Sequence, residues 1–391
     1  MKTRVVITGT GPVSAAGIGS EAFAESLQKG QTGIGPAKSF NTTPFSSKLA
    51  AEIQGFNVSE YLESQKGYLD RSSELTFAAI SLALEQANID LKTMDRSRVG
   101  LVLGSAFGSM ETMRIFFKDF VEKGPRFVKP ILFPHTYANT AVSLAAIEYG
   151  LNGFHSNFAS GMVSSDYALM QGFDAIRLGK ADIVIAGGYE ALSEVIYRGM
   201  NDLEMLTPDG MKPFDRHANG LVPGEAGAVV ILESLDHALA RSAPILVELA
   251  GISSSASIAC SMDLAWRASS GKAAPACILT SANGTPAADK SEFDGIRAFA
   301  GTDAAGMLVS GIKSMTGETF GAGGTLSVIA AVEMIGRGFI PRINGLSEPC
   351  GTGLNLTLET SLEKKVESVI INSIDSGGIS VSTVLIQGKR N

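Results

Sequence analysis

The chain has 391 residues, of which 45% are hydrophobic and only 18% charged, with a net charge of −7 and a pI near 5.3. It is too long for one small core and fits two domain-sized units or one large duplicated fold, with apolar material left over for a buried subunit interface. The acidic balance, the lack of a Lys/Arg run and the lack of a long apolar stretch argue against nucleic-acid binding, a basic membrane-surface role and a membrane span.

The chain enters a strand pattern at once, RVVITGTG (4–11), without a signal-peptide pattern, and a reducing cytoplasm is the expected setting. Cys260, Cys277 and Cys350 lie far apart without CxxC spacing, so neither a disulfide framework nor a zinc site is supported. Further β-branched runs follow at 99–109, 181–188, 226–233, 275–285, 306–317, 368–373 and 382–387. Alanine-rich helical patterns lie between many of them, as at 72–89 and 322–338. Continuous apolar strands alternating with helices predict an α/β protein whose sheets are covered on both faces. The strands fall into two similar sets, predicting halves at 1–250 and 251–391. The joining stretch 232–257 has no low-complexity linker, so the halves are expected to pack together.

In chain order, TGTGPVSAAGIG (8–19) departs from GxGxxG spacing and lacks a following acidic partner for a ribose, so no nucleotide site is read there. In 105–124, Met113, Phe116, Phe117 and Phe120 recur at i, i+3, i+4 and i+7, one face of a helix, which by itself reads as core. Residues 157–170, NFASGMVSSDYALM, crowd small residues where a buried chain turns into a helix. Such a turn lifts one side chain into a cavity where a nucleophile gains from the helix dipole, yet its apex is the thioether of Met162. In 213–233, Asp215, Arg216 and Glu225 read either as catalytic or, more commonly, as structural ion pairs holding a loop. GIKSMTGETFGAGG (311–324) is not a phosphate loop, because its lysine precedes the glycines, and it reads as a glycine-lined backbone approach. His135, His155, His217 and His237 show no metal spacing, and no metal or cofactor is expected.

Taken in order, RVVITGTGPVSAAGIG, FPHTYANTAVSLAAIEYGL, NFASGMVSS, LGKADIVIAGGYEAL, KPFDRHANGLVPGEAGAVVILE, NGT, IKSMTGETFGAGG and NSIDSGG resemble the beta-ketoacyl-ACP synthases over nearly the whole chain. The resemblance implies the thiolase fold, an α/β architecture of two pseudo-repeated βαβαβαββ halves in a layered α-β-α-β-α core, dimerised across a shared central sheet. It also implies a catalytic cysteine where Met162 stands, a histidine at Asn283 in SANGT, and a second histidine at Glu318 in KSMTGE, with Lys313 retained. The phenylalanines of the family's GFGG gate are replaced by Ile374 and Ser376. A thioether cannot form a turnover-competent acyl intermediate, and an ionised Glu318 opposes the negative charge that condensation must develop. Three such departures imply no ordinary condensation.

Among family members without the catalytic set, the chain resembles chain length factors, although these often carry glutamine where Met162 stands. That resemblance implies a catalytic ketosynthase subunit as heterodimeric partner and, through the complex, an acyl carrier protein. It points to a bacterial type II polyketide or polyene pathway, with aryl-polyene-like pigments as the expected product class. Met113, Phe116, Phe117 and Phe120, with Tyr137 and the helix at 195–200, then become expected interface and tunnel lining. Two alternatives stand beside this reading. One is a condensing enzyme or decarboxylase with an unconventional nucleophile, Ser164 or Cys277, with no base assigned to either. The other is a self-sufficient homodimeric acyl-binding protein.

Overall fold

A computed structural model describes residues 3–62, 64–269, 274–301, 306–358 and 360–388. One long mixed sheet organises them. Its strands are β1 (Val5–Ser14), β2 (Val99–Gly104), β3 (His155–Phe158), β4 (Ile183–Glu190), β5 (Ala226–Ser234), β6 (Val247–Ser255), β7 (Cys277–Leu279), β8 (Leu308–Ser310), β9 (Asn355–Leu356), β10 (Ser368–Ile374) and β11 (Ser380–Gln387). The path across the sheet is β9-β8-β7-β10-β11-β6-β1-β5-β4-β2-β3, with a two-residue strand at Gly17–Ile18 pairing with β1 off that path.

The pairing pattern is written twice. In the first set β2 runs parallel to β3 and β4, β4 pairs antiparallel with β5, and β5 with β1. In the second set β7 runs parallel to β8 and β10, β10 pairs antiparallel with β11, and β11 with β6. The two sets meet where β1 lies antiparallel to β6. This is the duplicated α/β arrangement that the resemblance implies. Residue 250 lies within β6, the strand of the second set that meets β1.

Four of the helices are α1 (Arg71–Gln86), α2 (Met110–Lys123), α3 (Ser164–Arg177) and α4 (Gly323–Arg337). Helix α4, GGTLSVIAAVEMIGR, is apolar nearly all round, the signature of a helix enclosed on every side. Residues 323–335 are all buried, and α4 touches strands of both sets as well as α3. Helix α1 starts at Asp70, whose carboxylate accepts from Ser73 N–H at 3.1 Å as an N-cap.

The first glycines of 8–19 lie within a strand. β1 runs on through Gly9, Gly11 and Pro12 to Ser14, with a register shift between Ile7 and Gly9. The glycines serve close packing: a Cβ at Gly11 would come within 1.9 Å of the Ala79 carbonyl oxygen on α1. A polar, nucleotide-binding reading of this stretch has no place in such contact.

Candidate functional site

Three straps from the ends of β3, β7 and β8 converge with the loop between β10 and β11. After β3 the chain passes through a 3-10 turn, Gly161–Val163, into α3. Met162 is half-buried at this turn. Ser164 braces it: the hydroxyl donates to the Gly161 carbonyl at 2.6 Å and accepts from Ser160 N–H at 2.9 Å. The hydroxyl also lies 3.3 Å from the Ser105 carbonyl, and none of these partners is a base. Cys277 is fully buried on β7, and burial pushes its thiol up to about 12, which makes it inert. Neither residue therefore has the surroundings of a nucleophile.

The strap after β7, TSANGT, ends where Pro286 opens the helix Pro286–Ala300. Buried Asp289 on that helix holds the strap, accepting from the backbone N–H groups of Asn283 (3.0 Å), Gly284 (3.1 Å) and Phe214 (2.9 Å). Asn283 Nδ2 then donates to Glu318 Oε2 at 2.8 Å. Lys313, on the strap after β8, donates to the same oxygen at 2.7 Å and also reaches Ser281 Oγ at 3.3 Å. Glu318 Oε1 accepts from Phe320 N–H at 2.9 Å. All three side chains are buried, Glu318 completely. Asn283, Glu318 and Lys313 thus form one closed polar knot. One N–H of the Asn283 amide is thereby engaged, and the negative charge of Glu318 is paired.

Met162 and Asn283 border a common cavity of about 80 Å³, lined also by Met205, Ile374, Asp375 and Ser376. Small-molecule sites are roughly 300–1,000 Å³, so an extended acyl chain does not fit this chamber. Asp375 escaped the sequence reading. Its carboxylate accepts from Met162 N–H at 2.9 Å, and the available signal was an acidic residue between Ile374 and Ser376 in a loop facing a helix start.

Buried carboxyls surround the straps. Glu190 accepts from Ala106 N–H (2.7 Å), Phe107 N–H (3.2 Å), Gly321 N–H (3.1 Å) and Ser105 Oγ (3.0 Å), which ties the β2 loop to the entry of α4. Burial pushes Asp166, Glu190 and Glu292 up to about 7 and Asp289 up to about 6. Unfolded carboxyls titrate near about 4, so between roughly pH 4 and 7 the folded chain keeps protons that the unfolded chain has lost. Stability therefore falls as pH rises through that window. Urea unfolding should show a more stable protein near about pH 5.5 than near about pH 8, and a profile that rises toward pH 8 would contradict this. At the acid end Asp215 is lowered to about 2, held by the N–H groups of Ser347, Glu348 and His217 against its burial. Its contribution is complete above about pH 4 and is lost as pH falls toward 2.

The loop charges are structural. Glu225 pairs with Arg71 at 2.8 Å, and Arg216 with Glu348 at 3.1 Å. His237 meets Glu233 at 2.8 Å, and His135 lies 3.5 Å from Asp70. Among the described residues no group of three or more His, Cys, Asp or Glu side chains is placed to hold a metal ion, and no helix is long and apolar enough to cross a membrane.

The aromatic stripe does not border this chamber, and it is not core. On α2 only Thr112 is buried. Met113 and Phe116 are half-buried, whereas Phe117 is 54% and Phe120 45% exposed. Tyr137 is exposed as well, and Phe133, which the sequence reading missed, links it to the helix. Ring centroids run Tyr137–Phe133 5.4 Å, Phe133–Phe116 5.9 Å, Phe116–Phe117 5.8 Å and Phe117–Phe120 6.5 Å. Val121, Phe127 and Ile131 extend the exposed apolar surface. On the helix at 195–200 the faces differ: Val195 is exposed, whereas Tyr197 is fully buried against Phe40 and Phe45, and its hydroxyl donates to the Leu49 carbonyl at 3.0 Å.

Residues 2–238 match the family model for the beta-ketoacyl synthase N-terminal domain, and residues 267–347 match that for its C-terminal domain. The chain belongs to the beta-ketoacyl synthase family. It is similar to 3-oxoacyl-(acyl-carrier-protein) synthase 2 of Vibrio cholerae, at 30% identity over 98% of this chain and 99% of that protein. Among solved structures it resembles the ishigamide ketosynthase/chain length factor, at 26% identity and a TM-score of 0.94, covering 100% of both chains. A beta-ketoacyl synthase from Burkholderia phymatum gives 26% identity and a TM-score of 0.91, again over 100% of both chains. The architecture is the thiolase-type ketosynthase fold.

Proposed function

We propose that this chain is the non-catalytic, length-determining subunit of a heterodimeric type II ketosynthase, acting in the cytoplasm in bacterial polyketide biosynthesis, with aryl-polyene-like products the favoured class. The observation that carries the reading is the closed knot: the positions the family resemblance assigns to catalysis hold a thioether and a set of side chains already bonded to one another. Acyl transfer needs an ionisable nucleophile and condensation needs free donors. Met162 supplies no nucleophile and Glu318 no donor; one N–H of Asn283 Nδ2 is committed to Glu318, whose charge Lys313 pairs.

Two surface features support a subunit role. Phe117, Phe120 and Tyr137 form an exposed aromatic row of the sort that subunit interfaces bury. Among the described residues strand β3 ends the sheet and is paired on one side only, by β2, which leaves an edge for a partner strand. The catalytic ketosynthase is the proposed occupant, and acyl carrier protein reaches this chain only through the complex.

The test is direct. Incubated with an acylated carrier protein, this subunit should show no acyl adduct by intact mass, and Met162→Cys alone should not restore condensation. A stoichiometric adduct would overturn the reading. Co-expressed with a cysteine-bearing ketosynthase from the same pathway, the chain should purify as a one-to-one complex. A robust monomer that ignores that ketosynthase would contradict the subunit role.

A further inference from the structure

The loop between β10 and β11 brings a carboxylate to the backbone of the turn that carries Met162. Asp375 Oδ1 accepts from Met162 N–H at 2.9 Å, and Oδ2 accepts from Gly377 N–H at 2.7 Å. The loop is closed on itself, with Asp375 N–H donating to the Ile379 carbonyl at 2.8 Å and Gly378 N–H donating to the Asp375 carbonyl at 3.0 Å. The carboxylate is packed onto the turn. Gly161 has φ +63°, and a Cβ there would come within 2.1 Å of Oδ1. Glycine is required at 161 both for its backbone conformation and for the room it leaves the anion.

The Met162 N–H belongs to the turn that leads into the 14-residue α3. A backbone donor at a helix start is where anions are stabilised, and acyl-transfer sites use such donors for the oxygen that gains charge. We propose that Asp375 is an autoinhibitory contact: its carboxylate occupies the Met162 backbone donor, so that the chain supplies its own anion where a ligand's oxyanion, or a thiolate at this position, would need that donor. The proposal concerns the chamber and does not depend on which partner the subunit takes.

It has a chemical consequence. A thiolate introduced at the apex would face Asp375 as a like charge and compete with it for one donor. The other ionisable groups bordering the cavity, Asp289 and Glu292, are carboxyls and offer no relief. Lys313, the cation of the site, is already paired with Glu318.

The test uses the full chain with Cys260 and Cys350 replaced by serine, leaving Cys277 buried. In that background Met162→Cys is compared with Met162→Cys/Asp375→Asn and Met162→Cys/Asp375→Glu. Alkylation by iodoacetamide is followed by intact mass over a range of pH. The introduced thiol should react slowly while Asp375 is present. Asp375→Asn should raise its rate at neutral pH about tenfold or more and lower its apparent pKa by about one unit or more. Asp375→Glu, which keeps the charge on a longer arm, should remain slow. Equal rates for the aspartate and asparagine forms would overturn the proposal. So would equal acceleration by asparagine and glutamate, because loop opening rather than charge would then be responsible.

Discussion

Lys313→Ala should destabilise the protein by about 3–5 kcal/mol, the loss expected when one partner of a buried ion pair is removed. Glu318 is wholly buried, and its Oε2 takes the Lys313 ammonium at 2.7 Å and the Asn283 amide at 2.8 Å. Without the ammonium, a carboxylate far from water keeps only neutral donors and must either take up a proton or open the strap. Removing both charges should behave differently. Lys313→Met combined with Glu318→Gln retains an oxygen that Asn283 Nδ2 can reach and leaves no unpaired charge, so most of the lost stability should return. Urea unfolding of the two variants measures this. If Lys313→Ala costs under about 1 kcal/mol, the site is wet and the closed knot is not the correct description.

On the proposed function, replacing Phe117 or Phe116 by alanine should lengthen the products of the reconstituted two-subunit enzyme by one or two extension units. A growing acyl chain gains roughly 0.8 kcal/mol for each buried methylene until it strikes a wall. A phenyl ring at that wall adds an overpacking cost of about 1–3 kcal/mol. Tenfold per 1.4 kcal/mol makes this enough to stop most chains at one length. Phe117 is the stronger choice, because the residue is more than half exposed in this chain and, on that reading, available to a partner's tunnel. Phe116 is half-buried between Phe117 and Phe133 and acts as its support. Phe120 lies a turn further along α2. Carrier-bound products are analysed by mass. Should both variants keep the wild-type length distribution within an intact complex, the wall lies elsewhere and the aromatic row serves association alone.

Much of this molecule follows from local chemistry. The apolar runs within β2, β4 and β5 and the nearly all-round apolar surface of α4 demand burial on every side, and that demand specifies a layered α/β protein before any contact is known. Side-chain identity is likewise a property of sequence: Met162 has no ionisable sulfur, and Glu318 brings an acid, in whatever fold they sit. Periodicity also places Met113, Phe116, Phe117 and Phe120 on one helical face, but it cannot say what covers that face. The i, i+3, i+4 rule describes a stripe and not its neighbour, which is why an apparent core face emerged exposed while Tyr197 emerged buried. Only the tertiary structure decided that Asn283, Lys313 and Glu318 share one carboxylate, and that Asp375 reaches across 213 residues to Met162. Those contacts depend on the order in which the strands are laid side by side, because that order determines which loops meet at the sheet's end, and no local period encodes it.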